Sequence, residues 1–239
     1  MALFLISIAA FCSTMVGGAL ALKLRDRLHL ILGFSAGAVV AVAFFDLIPE
    51  ALDLGAPFGS QNILSVVALG FLLYLLLDRL LLLHSHGHEE HEQTESRGHV
   101  RAGSLSLHSF LDGVGIGLAF QVSTAVGAIV ALAVLTHDFS DGINTINVVT
   151  RDGGSRKYAL LWLLVDALAP VLGIILTLFF SVSPAHLGLL LALFAGFFLY
   201  IGASDLVPES HHVHPTFWTT AMTIFGAAVL FVAIRLASI

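Results

Sequence analysis

Charge is scarce in this sequence. Only 11% of its 239 residues are Asp, Glu, Lys or Arg, against about 25% in an ordinary soluble domain. That shortage excludes a water-soluble globule, a disordered chain and a nucleic-acid partner. Cysteine is nearly missing: Cys12, the single one, rules out a disulfide framework and any CxxC site, and it reads as a small apolar residue packed in a helix. No basic residue precedes the first apolar run. Although Ala19-Leu20-Ala21 mimics a cleavage site, that segment therefore reads as a span and not as a signal peptide.

What fills the chain instead is hydrocarbon, 58% apolar residues with a mean hydropathy of +0.98. One membrane span needs about 20 apolar residues, so the chain has room for seven or eight helices and no separate soluble domain. Apolar runs set off by turn residues or charges predict an all-α integral membrane protein, a single transmembrane domain over 1–239 with spans near 3–22, 30–52, 61–83, 103–122, 124–150, 156–180, 184–208 and 215–237. Short links such as Gln121-Val122-Ser123-Thr124 and Ser181-Val182-Ser183-Pro184 imply antiparallel neighbours, with Pro184 at a first helical position. An even number of spans puts both termini on one side.

Basic residues choose the side. Lys23, Arg25 and Arg27 follow the first span, Arg79, Arg97 and Arg101 flank the link after the third, Arg151, Arg156 and Lys157 follow the fifth, and only Arg235 falls at the opposite face. By the excess of Lys and Arg on cytoplasmic loops, those links face the cytoplasm and both termini lie outside it. Two histidine-rich tracts fall on the cytoplasmic side in this topology. One is the 84–102 loop, with His84, His86, His88, His91 and His99; the other holds His211, His212 and His214. Such tracts capture metal ions through neutral imidazole, against the plainer reading of a solvated loop with incidental histidines.

Ionisable residues also occur where they are expensive. The fourth span reads His108-Ser109-Phe110-Leu111-Asp112-Gly113, the fifth His137-Asp138-Phe139-Ser140-Asp141-Gly142, and the sixth contributes Asp166. Counting about 1.5 Å of rise per residue from the cytoplasmic basic residues puts Asp112, Asp141 and Asp166 roughly 14–17 Å deep, near the midplane of a core about 30 Å thick. Each such group costs about 2.5–3.5 kcal/mol even on the lenient insertion scale. The i,i+4 spacing of His108 with Asp112, repeated by His137 with Asp141, sets these pairs on one stripe of each helix, with Ser109 and Asp138 beside them. Gathered carboxylates repel unless cations neutralise them. Two divalent ions would balance four aspartates, with the histidines completing the coordination, so the pattern reads as a binuclear metal site and, less well, as buried polar contacts between helices.

A second repeat is D-L-x-P-E, with Asp46 and Glu50 at the end of the second span and Asp205 and Glu209 at the end of the seventh. Copies on helices of opposite direction are what an inverted repeat produces, and they place acids of a transport path near each membrane face. A helix-ending proline with a wetted acid would account for either copy alone. Asp78 and Arg79 read as an interfacial pair snorkelling to the headgroups.

At these residues the chain resembles the ZIP family of divalent metal transporters, particularly its GufA-like bacterial branch. The likeness rests on the eight spans, the histidine-rich link, H-S-F-L-D-G, H-D-F-S-D-G, the V-D-A of the sixth span and both D-L-x-P-E copies. It implies a first metal on His108, Asp112, His137 and Asp141, and a second on Asp112, Asp138, Asp141 and Asp166 with Ser109. It also implies a 3+2+3 arrangement of the helices, homodimers and an elevator-like movement. Ser109 stands where the family usually has Asn, Asp112, Asp141 and Asp166 where Glu is frequent, and Leu111 and Ser140 where prolines are common.

The expectation is a multi-pass inner-membrane transporter that carries Zn, Fe, Mn, Cd or a similar divalent ion into the cytoplasm, with the ion as substrate and no organic cofactor. Imidazole and carboxylate suit such ions, and the lack of thiolate or methionine clusters argues against Cu(I). Two other classes stay open. One is an intramembrane zinc hydrolase with Ser109 or Ser140 beside a single open-sided metal; the other is a metal sensor without flux.

Overall fold

The structure, a computed structural model, describes residues 1–22, 29–84, 93–151, 154–212 and 217–237. Its described elements are helical. In chain order they form α1 (Ala2–Ala21), α2 (His29–Val42, continuing through Ala43–Leu47 into Ile48–Leu54), α3 (Ser60–His84) and α4 (Gln93–Val122). Then follow α5 (Thr124–Arg151), α6 (Arg156–Thr177), α7 (Pro184–Tyr200, continuing through Ile201–Leu206 into Val207–His212) and α8 (Phe217–Ala237). Eight of the described helices are long and apolar enough to cross a membrane, as the hydropathy pattern predicts.

Two expectations need correction. The 84–102 segment is not all loop, because α4 begins at Gln93 and carries Glu95, Arg97, His99 and Arg101 on helix. Hydropathy marks where a helix leaves hydrocarbon, not where it ends, and a helix satisfies its own backbone in water as well as in lipid. Nor does D-L-x-P-E end its helices. In α2 and α7 a π-helical turn (Ala43–Leu47, Ile201–Leu206) immediately precedes the motif's proline region, and the chain runs on helically past Pro49 and Pro208. Proline lacks an N–H and its ring collides with the carbonyl one turn back; one extra residue in that turn relieves both problems and lets the helix continue.

Helix packing divides the bundle into two sets. In the first, α5 and α6 each pack on α1, on α4 and on one another; in the second, α2 packs on α7 and α8, and α3 on α7; α2 also packs across on α5. Between apolar lipid and apolar helix there is little hydrophobic gain, so close backbone approach at small residues carries the association. A Cβ on Gly17 would strike the Phe139 carbonyl and one on Gly142 the Thr14 carbonyl, joining α1 to α5 from both sides; Gly113 and Gly173 meet the Pro170 and Phe110 carbonyls and join α4 to α6. Gly37 and Gly226 join α2 to α8 in the same reciprocal way, as Gly70 and Gly196 join α3 to α7. Exchanging α1–α3 with α6–α8 and α4 with α5 maps each of these four pairs onto another.

The outer faces carry exposed leucines and phenylalanines, such as Leu72, Leu76, Leu161 and Phe225, which suit a hydrocarbon surrounding. Cys12 belongs to this exposed surface and not to the packed interior. At one end Gln121 clips α4 to the 178–183 link. Its Nε2 donates to the Thr177 and Phe180 carbonyls, and its Oε1 accepts from the Val182 N–H.

Candidate metal centre

The repeated i,i+4 stripes of α4 and α5 face each other inside the first helix set. There His108, Asp112, His137 and Asp141 converge, none more than 5% exposed. Each offers a ligand atom, and these atoms lie within 4.8 Å of one another. Asp112 Oδ2 is 3.2 Å from His108 Nε2 and 3.1 Å from His137 Nε2, while Asp141 Oδ2 lies 3.6 and 3.8 Å from the same two nitrogens. A tetrahedral ion with ligand bonds of about 2.0–2.1 Å separates its ligand atoms by roughly 3.3–3.4 Å. The four imidazole–carboxylate edges, at 3.1–3.8 Å, therefore stand close to what such an ion requires, and the remaining separations lie within 4.8 Å. Two carboxylates carry the charge that balances one divalent cation.

Each imidazole is oriented through its other nitrogen, in different ways. His137 Nδ1 lies 3.1 Å from the Ala133 carbonyl one turn back in its own helix. That oxygen can only accept, so Nδ1 carries the proton. His108 Nδ1 instead lies 2.7 Å from the Tyr74 hydroxyl of α3, in the second helix set, with the rings edge-on. Tyr74 in turn packs against Phe197 and Tyr200.

The other predicted site residues are near the cluster but differently engaged. Asp166 is fully buried, and both its oxygens are taken: Ser109 Oγ donates to Oδ1 and Thr145 Oγ1 to Oδ2, each at 2.8 Å. Asp138 is also fully buried, within electrostatic range of Asp112, Asp141 and Asp166, and neither of its oxygens has a hydrogen-bond partner among the described residues. Ser35 of α2 donates to the Thr136 carbonyl, so the 3.1 Å contact between Ser35 and Ser140 has Ser140 as donor. Ser140 thus donates to the Ser35 hydroxyl of α2, and Ser109 to the buried Asp166 carboxylate of α6.

Of the D-L-x-P-E acids, Asp46, Glu50 and Asp205 do not join the cluster. Asp46 is 7% exposed with Oδ2 unpartnered among the described residues, Glu50 is half-buried, and Asp205 is exposed while within electrostatic range of His108 and Tyr74. Asp78 is not simply the partner of Arg79, since it accepts the Tyr200 hydroxyl at 2.9 Å. His99, expected on a metal-capturing loop, sits on α4, where its Nδ1 accepts Trp162 Nε1–H at 2.7 Å and its ring meets Tyr158 edge-on. Lys23, Arg25, Arg27, His86, His88, His91 and His214 lie outside the described residues; for His84, Glu209, His211 and His212 the backbone alone is described.

Sequence reasoning missed Thr145 and Tyr74. Thr145 was within reach, being i+4 from Asp141 on the same stripe. Tyr74, one aromatic in a leucine run, gave no sign.

The chain is similar to proteins of known type. A family model described as ZIP Zinc transporter matches residues 84–233. A zinc transporter named ZupT from Corynebacterium aurimucosum is 27% identical, aligned over 94% of this chain and 92% of its own length. The ZupT of Shigella dysenteriae is also 27% identical, over 88% of this chain and 87% of its own. The zinc transporter zipt-7.2 of Caenorhabditis elegans is 32% identical over 50% of this chain and 27% of its own length.

Proposed function

The chain belongs to the ZIP zinc transporter family, as a multi-pass inner-membrane transporter of divalent metal and not an enzyme, and from that premise we propose that it carries Zn²⁺ into the cytoplasm through His108, Asp112, His137 and Asp141. The observation that carries this reading is the convergence of those four buried ligand atoms within 4.8 Å. Fe²⁺, Mn²⁺ and Cd²⁺ share the preference for imidazole and carboxylate and are the other candidate substrates.

A second ion would take Asp138 with Asp112 and Asp141, and the support for it is Asp138's two unpartnered buried oxygens. Asp166 would join once Ser109 or Thr145 turns its hydroxyl away, and Ser109 could then offer its own oxygen. Asp46 and Glu50 would serve the outer mouth and Asp205 and Glu209 the inner one, with the histidine tracts capturing released ion.

Release to the cytoplasm requires the site to change its exposure. The reading is that α1, α4, α5 and α6 slide as a body against α2, α3, α7 and α8. Support comes from the reciprocal glycine contacts, which join helices within each set. The symmetry of those contacts favours a 3+2+3 inverted repeat. Nine basic residues on one side against one on the other favour termini outside the cytoplasm, and a homodimer is the assembly proposed.

The test is uptake into sealed proteoliposomes from a panel of divalent ions. Saturable zinc influx supports the transporter; stoichiometric binding without flux supports a sensor instead.

A further inference from the structure

We propose that Tyr74 is a positioning residue whose hydroxyl orients His108 for metal only while the two helix sets stand in the arrangement seen here, so that sliding weakens the site as it opens. The inference rests on the sliding reading above and deepens it.

It begins from an asymmetry between the two imidazoles. For Nε2 to offer its lone pair to a metal, the Nδ1 proton must be accepted by another group, and such outer partners fix the ring's orientation and basicity. His137 has that acceptor in its own helix, the Ala133 carbonyl at 3.1 Å, and takes it wherever α5 goes. His108 takes its partner from α3, the Tyr74 hydroxyl at 2.7 Å, across the boundary between the sets. Any displacement of α4 past α3 by more than about 1 Å breaks a bond of this length.

A hydroxyl is suited to this place because it both donates and accepts. When His108 Nε2–H donates to Asp112, Nδ1 accepts the Tyr74 O–H. When Nε2 binds the ion, Nδ1 carries the proton and Tyr74 accepts it. One side chain thus serves His108 in both forms, which a carbonyl could not. Tyr74 is itself held by ring contacts to Phe197 at 5.4 Å and Tyr200 at 5.3 Å, both on α7 of its own set, so it is a fixed reference against which α4 moves.

Tyr74→Phe keeps the ring and removes the oxygen. The expected result is a zinc Kd about 10–100-fold weaker in detergent, with an unchanged melting temperature. In proteoliposomes KM should rise in the same proportion while the maximal rate holds or increases, because the ion is released more readily. Tyr200→Phe, which removes a neighbouring hydroxyl that bonds Asp78, should leave the zinc Kd unchanged. A purely packing role for Tyr74 predicts wild-type Kd and KM in Tyr74→Phe, and that result overturns the proposal.

A second arm separates this proposal from the sliding reading. Gly115 of α4 faces the Phe194 ring of α7, a Cβ there meeting it at 3.2 Å. A short bifunctional thiol cross-linker between Gly115→Cys and Phe194→Cys, in a Cys12→Ala background, therefore ties the two sets. Uptake should stop in the cross-linked protein, while adding Tyr74→Phe to it still weakens zinc binding. Continued uptake after cross-linking sinks the sliding reading and, with it, the state dependence claimed for Tyr74. Uptake that stops, with zinc affinity indifferent to Tyr74→Phe, sinks the Tyr74 proposal alone.

Discussion

At the residue scale the four proposed ligands are not equivalent to the acids beside them. Asp112 Oδ2 is within 3.2 Å of both imidazoles, and Asp141 closes the set, so Asp112→Ala or Asp141→Ala should strip bound metal altogether. Asp166→Ala should spare the first ion, because Asp166 is engaged by Ser109 and Thr145 and not by the histidines. Mass-spectrometric metal content of the purified variants checks this, and unchanged stoichiometry in both Asp112→Ala and Asp141→Ala would end the assignment. Protons compete for the same atoms. Ligand imidazole must be neutral and ligand carboxylate ionised, so zinc affinity should fall as pH is lowered. Zinc added to weakly buffered protein should release protons, measurable with a pH-indicator dye. Asp112→Asn, which binds no zinc on this account, should release none.

Spacing made the convergence of these four side chains legible: i,i+4 pairs on adjacent helices form one stripe on each, and the two stripes meet. Tyr74 was illegible for the opposite reason. Its role depends on which face of α3 meets α4, and no periodicity of a nearly all-apolar helix specifies that.

At the element scale the hydropathy pattern found all eight spans to within a few residues, except where a helix leaves the bilayer. The polar first turns of α4 read as loop because charge marks water, while the backbone continued helically from Gln93. The π turns before Pro49 and Pro208 were also invisible. Proline signals a stop in local reasoning, and only the surrounding bundle decides that an extra residue is accommodated instead. What holds the elements together is backbone proximity, and it is directly testable. Gly113→Val would push a side chain against the Pro170 carbonyl and force α4 from α6, at a cost of about 1–3 kcal/mol for overpacking. The expected outcome is a clear fall in the melting temperature in detergent. Gly115→Ala, whose Cβ meets only the edge of the Phe194 ring, should fall much less. Equal melting temperatures for the two would contradict the packing account.

For the whole molecule, the account places a divalent-ion site wholly within one helix set, with one of its histidines oriented from the other set. Composition made the membrane class readable before any fold was known. The division into α1, α4, α5 and α6 against α2, α3, α7 and α8 was not readable, because it depends on which small residues meet. The central claim is that zinc crosses the membrane by way of His108, Asp112, His137 and Asp141. The most direct test is initial-rate zinc uptake into sealed proteoliposomes by the unaltered protein beside Asp112→Ala, Asp141→Ala and Gly115→Ala. The account predicts saturable influx for the unaltered protein and Gly115→Ala, and background rates for both aspartate variants. Undiminished uptake by folded Asp112→Ala and Asp141→Ala would contradict it.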